Sequence, residues 1–222
     1  MCGRYGYSSP VGRAAKKFGA RVASDVVVQP HFNIAPTQLV PALVNTDERE
    51  LVMLRWGLVP AWASSPAEMK LSTFNARIET IATARAYREP LRSRRCAILA
   101  DFFYEWQRRD DGSKIPLLIR RRDGEPFCFA GLWECWRRGG DELRSCTIIT
   151  QPPNDLMRPI HSRMPVILRD AAVHEWLATG ERDAAQMLAL LEPQASSQWE
   201  AYAVSPRVGN VRNDDPQLAE RV

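Results

Sequence analysis

Apolar residues along this 222-residue chain fall in short runs separated by polar or glycine-containing stretches, not in long helical stripes. Runs at 38–44, 50–57, 95–100, 102–108, 115–121, 126–136, 143–150 and 165–168 have the length and composition of strands. The stretches at 45–49, 110–114, 122–124 and 138–142 supply turns between them. Helical spacing is rarer. Ser9-Pro10 followed by Val11, Ala14, Ala15 and Phe18 combines a cap, a proline at the first helical position and an apolar stripe, which predicts a helix over 10–18. Further helices are predicted near 79–94, 170–179 and 182–191. Strands spaced like hairpins, with helices at intervals and toward the end, predict an α+β fold: curved, mainly antiparallel, barrel-like β-sheet with peripheral helices. No GxGxxG, Walker loop, repeat or internal linker is present, so one domain over 1–222 is expected.

Composition narrows the class. With 45% hydrophobic and 25% charged residues, the chain can bury a core, which excludes disorder as a whole-chain reading. No apolar run approaches the roughly 18 residues that span a bilayer. The start Met1-Cys2-Gly3-Arg4-Tyr5 lacks the apolar segment of a signal peptide, so a cytoplasmic protein without membrane contact is expected. The net charge is +4, and among the basic residues only Lys16, Lys17, Lys70 and Lys114 are lysines. Guanidinium forks suit phosphate and carboxylate, but the charge alone does not select nucleic acid as a partner. The five cysteines are an odd number with no CxxC pair, which argues against a disulfide framework or structural zinc; no metal and no cofactor are expected. Cys96, Cys128 and Cys146 sit in apolar runs, where a thiol serves as a small core residue, and Cys135 is grouped with them.

Four segments place a reactive or hydrogen-bonding side chain among apolar neighbours: Met1-Cys2-Gly3-Arg4, Phe74-Asn75-Ala76-Arg77, Phe103-Tyr104-Glu105-Trp106 and Ile160-His161-Ser162-Arg163. Singly each has a bland reading. Strand alternation alone places a Glu between two aromatics on the outer face, a lone histidine is ordinarily a hydrogen-bonded loop residue, and asparagine is a common turn residue. Cys2 changes the weighting because of its position. Removal of the initiator methionine before a small second residue leaves an α-amine and a thiol on one skeleton. An amine pKa of roughly 7.7–8.0 and a thiol pKa of about 8.5 let both nucleophiles coexist near neutral pH. The amine condenses with an aldehyde, and the sulfur then closes a thiazolidine ring.

MCGRY at 1–5, HFNIAPT at 31–37, WGLVPAW at 56–62, FNARIET at 74–80, FYEW at 103–106, GLWE at 131–134, TIIT at 147–150, IHSRMPVIL at 160–168 and VSPRVGNVRN at 204–213 follow one another in order. Together they resemble the SOS-response-associated peptidase family, the abasic-site processing proteins, over essentially the whole chain. The resemblance implies a monomeric DNA-damage sensor that binds abasic sites in single-stranded DNA and crosslinks to them through its N-terminal cysteine. It carries a catalytic set onto Cys2, Asn75, Glu105 and His161. The peptidase label refers to removal of the protein's own first residue. Arg4, Arg77 and Arg163 lie within two residues of Cys2, Asn75 and His161, where they are expected to grip phosphates. Trp62 and Trp106 are the expected stacking platforms, and Asn33, Pro36 and Thr150 are expected to line the groove. Ala63 departs from the pattern, because the family often carries a second bulky aromatic beside Trp62.

Weak lyase activity is an expected side reaction of the Schiff base. Two other classes stay open. One is an N-terminal-nucleophile hydrolase with Asn75 as oxyanion donor; the other is a non-catalytic single-stranded nucleic-acid-binding module in which Cys2 is incidental.

Overall fold

Runs of β-branched and aromatic residues joined by tight turns pair with their neighbours first, and the computed structural model is organised by those hairpins. It describes residues 2–24, 26–46, 49–67 and 73–222, so part of the turn expected at 45–49, and the expected loss of Met1, lie outside the described residues. In chain order the elements are β1 (Arg4–Tyr7), α1 (Val11–Phe18), β2 (Arg21–Val22), β3 (His31–Ile34), β4 (Leu39–Val44), β5 (Glu50–Trp56), β6 (Asn75–Arg77), α2 (Arg88–Ser93) and β7 (Arg95–Ala100). There follow β8 (Phe102–Arg108), β9 (Lys114–Arg121), β10 (Phe127–Arg138), β11 (Asp141–Gln151), β12 (Met164–Pro165), β13 (Ile167–Leu168), α3 (Val173–Trp176), α4 (Ala184–Ala189) and β14 (Trp199–Ala203).

Strands β11, β10, β7, β4 and β5 are antiparallel neighbours in that order. The outer two then meet in parallel, Ser145 against Arg55 and Cys146 against Trp56, which closes a five-stranded mixed barrel. A second sheet runs β14-β9-β8-β1-β3, antiparallel throughout. Edge-to-face aromatic contacts bind the two: Tyr5 meets Trp56 at 5.4 Å and Phe129 at 5.5 Å, and Phe103 meets Phe129 at 6.0 Å. A separate small core of Phe102, Tyr104, Leu118, Tyr202, Val204, Val208 and Leu218 ties the C-terminal segment to the second sheet. Gly6 is required where β1 crosses Phe102, since a Cβ there would lie 2.2 Å from the ring.

The α+β expectation holds, and the hairpin strands lie close to their expected bounds. Differences concern short or locally ambiguous segments. Strands β1, β2, β3, β6 and β14 are not among the expected strands. Pro10 stands at the N-cap of α1 and not inside its first turn, and the Ser9 hydroxyl donates to Asp101 at 2.8 Å instead of capping. Of the helix expected over 79–94, only Arg88–Ser93 is helical. The preceding residues form successive turns, in which the Thr80 and Thr83 hydroxyls donate to the carbonyls of Arg77 and Thr80. The helix expected at 170–179 is a 3₁₀ turn, Asp170–Ala172, leading into α3. That expected at 182–191 shortens to α4, capped by Asp183, which accepts from the amides of Ala185 and Gln186.

Arg95 is fully buried, and among the described residues no carboxylate forms an ion pair with it. Its guanidinium donates to the carbonyls of Leu91, Arg92, Trp176 and Ala178, joining the ends of α2 and α3, and burial pushes its pKa down to about 10. Among the described residues no helix is long and apolar enough to cross a membrane.

Candidate functional site

Strand pairing gathers the four sequence motifs. β1 lies between β3 and β8 with Arg4 opposite Tyr104, so Cys2, just before the strand, arrives beside Glu105. β6 runs parallel to β11, Asn75 against Ile148 and Arg77 against Thr150, which brings Asn75 alongside. Asn75 Nδ2 donates to the Cys2 carbonyl at 2.8 Å. Its Oδ1 is buried and accepts no hydrogen bond among the described residues.

Cys2 is wholly buried, and burial pushes its thiol far above the ordinary range. The Glu105 charge pushes it further, while the Arg4 amide pulls the other way. Glu105 is 3% exposed; burial raises its carboxyl, and His161 opposes that rise. The four thus form a chain of contacts, a hydrogen bond from Asn75 to Cys2 and electrostatic interactions from Cys2 to Glu105 and from Glu105 to His161. Burial thus disfavours the charged forms of both the Cys2 thiol and the Glu105 carboxyl.

His161 follows a series of turns, its amide donating to Met157 O at 2.9 Å. Its Nδ1 lies 3.0 Å from the Arg163 amide and 3.2 Å from the Arg163 carbonyl, so the backbone of Arg163 holds the ring from that side. The Arg163 guanidinium is engaged on two sides. It makes a two-pronged pair with Glu79 and donates to Thr150 O at 2.6 Å. That pairing holds the Glu79 carboxyl below the usual range. The Thr150 hydroxyl reaches Ala76 O at 3.3 Å, so Arg163 and Thr150 bolt the His161 turn to β11 and β6.

The other expected contacts divide. Arg77 is exposed at the end of β6. Arg4 donates to Asn33 Oδ1 at 2.9 Å, Val208 O at 2.7 Å and Gly209 O at 3.2 Å. Asn33 is buried, and its Nδ2 faces the carbonyls of Val208, Asn210 and Asn213. Half-buried Trp106 borders an open recess of about 400 Å³ with Gly3, Arg4, Lys114 and Gly209. Half-buried Pro36 precedes Thr37, whose φ of 80° places a β-branched residue in the left-handed region. Trp62 is 46% exposed, and the Arg85 guanidinium lies 4.3 Å from its ring centroid. Ala63 is buried, its carbonyl accepting from Trp136 Nε1.

Sequence reasoning missed Glu79, Arg85 and Lys114. Glu79 stands inside the FNARIET segment as the one charge of opposite sign to Arg77, a usable signal; Arg85 and Lys114 had none. Among the described residues, no cluster of three or more His, Cys, Asp or Glu could hold a metal ion.

A family model described as SOS response associated peptidase (SRAP) matches residues 1–211. The abasic site processing protein YoqW of Bacillus subtilis (strain 168) is 40% identical over 223 residues, covering 99% of each chain. The abasic site processing protein HMCES of Gallus gallus is 33% identical over 222 residues, covering 85% of this chain and 65% of its own. An X-ray crystal structure of a protein from Bacteroides thetaiotaomicron superposes with a TM-score of 0.88 at 27% identity over the full length of both chains. The chain belongs to the SOS response associated peptidase (SRAP) family.

Proposed function

We propose that this protein processes abasic sites in single-stranded DNA by forming a covalent thiazolidine through Cys2 after loss of Met1. The observation that carries the reading is the hold of Asn75 on the Cys2 carbonyl, with Glu105 and His161 around the same residue. Two relatives bearing the name abasic site processing protein support the substrate class.

The chemistry follows from the groups present. The neutral α-amine of Cys2 adds to the C1′ aldehyde of the ring-opened sugar, giving a carbinolamine. Protonated Glu105 donates to the departing hydroxyl, one water leaves, and an imine remains. The Cys2 S–H then adds across C=N, sulfur to carbon and proton to nitrogen, closing the ring. The buried Asn75 Oδ1 is an acceptor available to orient the amine, and the His161 ring is a donor toward the sugar. Loss of a C2′ proton and the 3′ phosphate from the same imine would give weak strand cleavage as a side reaction. Arg77 contacts a flanking phosphate, and Trp62 with Arg85, and Trp106 with Lys114, offer ring faces and cations to the strand.

The test is a denaturing gel of the protein mixed with an abasic single-stranded oligonucleotide. A retarded band is expected with the native protein and none with Cys2→Ala or with the methionine retained. No band with the native protein, or an equal band with Cys2→Ala, would sink the proposal.

A further inference from the structure

Residues 205–219 are knotted into the second sheet at a place that bears on Cys2. β3 is the last strand of that sheet, and the Asp214 carboxylate takes two of its consecutive amides: Oδ1 accepts from Phe32 N at 2.5 Å and from Asn33 N at 3.1 Å. Asp214 Oδ2 lies 2.6 Å from His31 Nδ1. Asn33, fixed by that backbone contact, accepts from Arg4 and donates to the carbonyls of Val208, Asn210 and Asn213. Arg4 completes the circuit on the carbonyls of Val208 and Gly209. Tyr104 reinforces it, its hydroxyl lying 2.8 Å from Phe32 O and 3.3 Å from Leu218 O.

Two features set this network apart from ordinary surface bonding. Arg4 is a cation satisfied by carbonyls and one amide oxygen, a geometry that fixes its direction and leaves its fork committed. Arg4 is also two residues from Cys2, and its backbone amide reaches the Cys2 sulfur. Asp214 touches no reacting atom, yet each bond from it through Asn33 and Arg4 narrows the direction in which the chain leaves β1 toward Cys2.

We propose that Asp214 is a positioning residue: with Asn33 and Arg4 it makes residues 205–219 a strap that seats Cys2-Gly3-Arg4 for attack on the lesion. The proposal rests on the reading of Cys2 as an aminothiol nucleophile. In it Arg4 and Asn33 serve rate, not DNA affinity.

The experiment uses full-length protein whose chain is made to begin at Cys2 by cleavage of an N-terminal tag, with Asp214→Ala and Asp214→Asn alongside. Three quantities are measured on folded protein: the single-turnover crosslinking rate at saturating abasic single strand, the affinity for the same strand carrying a tetrahydrofuran analogue, and the rate at which 2-cyanobenzothiazole condenses with Cys2. Asp214→Ala is expected to crosslink about tenfold more slowly with affinity within about twofold, as lost orientation predicts. Its probe condensation should be at least about threefold faster, because an unseated terminus meets a small reagent more freely. Asp214→Asn, which keeps an acceptor for the β3 amides, should remain near the native protein. An unchanged crosslinking rate in Asp214→Ala overturns the strap, as does an affinity loss that matches the rate loss. If Asp214→Ala does not fold, His31→Ala, which removes one arm of the carboxylate's contacts, carries the same comparison. Absence of crosslinking in the native protein counts against the proposed function; equal probe rates in native protein and Asp214→Ala count against the strap.

Discussion

Glu79 offers a direct way to ask whether Arg163 contributes charge to strand binding. Each phosphate neutralised on a single strand contributes about 0.7 to the magnitude of the slope of log affinity against log salt. Arg77, exposed at the end of β6, should contribute that amount. Arg163 should not, because its two-pronged pair with Glu79 makes a locally neutral unit. Glu79→Gln uncovers the guanidinium while its bonds to Thr150 remain, and the slope should steepen by about 0.7. Between 200 and 50 mM salt, that adds about 2.6-fold to the tightening seen in the native protein. Arg163→Ala alone leaves Glu79 bare and flattens the slope by a similar amount, and the double variant returns to the native slope. The assay is fluorescence anisotropy on a single strand carrying a tetrahydrofuran site, which has no aldehyde and cannot crosslink. A Glu79→Gln slope equal to or flatter than the native one would show that this pair does not neutralise Arg163 when DNA binds.

Further outcomes follow from the geometry. Glu105 is raised by burial, so its contribution to stability is fully present below the ordinary carboxylate range of about 4.3 and is lost as pH rises through the higher folded value. Glu105→Gln should therefore be more stable than the native protein at pH 8 in urea unfolding, the advantage shrinking toward pH 4; a difference independent of pH refutes the buried-acid assignment. Arg95→Met strips four carbonyls at the ends of α2 and α3 of their donor, and should cost about 3–5 kcal/mol. By differential scanning fluorimetry that is a fall of about 10 °C for a chain of this size, and a fall below about 3 °C would mean that those carbonyls find other partners. Thr37→Gly should relieve about 1–2 kcal/mol of left-handed strain against about 0.5–1 kcal/mol of added chain entropy. The melting temperature should rise by about 2 °C, and a decrease would refute the strain.

The strands legible in the sequence were those with their own turns. β7 to β11 follow one another through polar, glycine-containing or tight connections, and alternation plus punctuation located them. β6 is three residues long and pairs in parallel with β11 across a wide sequence gap, so no local turn announced it. The parallel closure of the barrel by β5 and β11 was hidden for the same reason. Over 79–94, apolar spacing suggested a helix, but two threonine hydroxyls compete for the backbone there, an effect that periodicity does not register. At the candidate site, residue types and positions drew attention to four segments, and the family resemblance carried the catalytic set onto Cys2, Asn75, Glu105 and His161, while partners could not be read. Arg163 looked like a free phosphate clamp because Glu79 lies 84 residues away, and Arg4 looked the same because two of its acceptors are backbone carbonyls, which leave no trace in a sequence, and the third, Asn33, lies 29 residues away.

The bond from Arg4 to Val208 spans 204 residues. A ribosome releases Cys2 and Arg4 early, but the carbonyls that hold Arg4, and the strand β8 that flanks it, emerge much later. A nascent or truncated chain would thus carry Cys2 on an unanchored end. If Cys2 acts as proposed, topology thereby couples seating of its terminus to completion of the fold, because residues among the last to emerge hold Arg4.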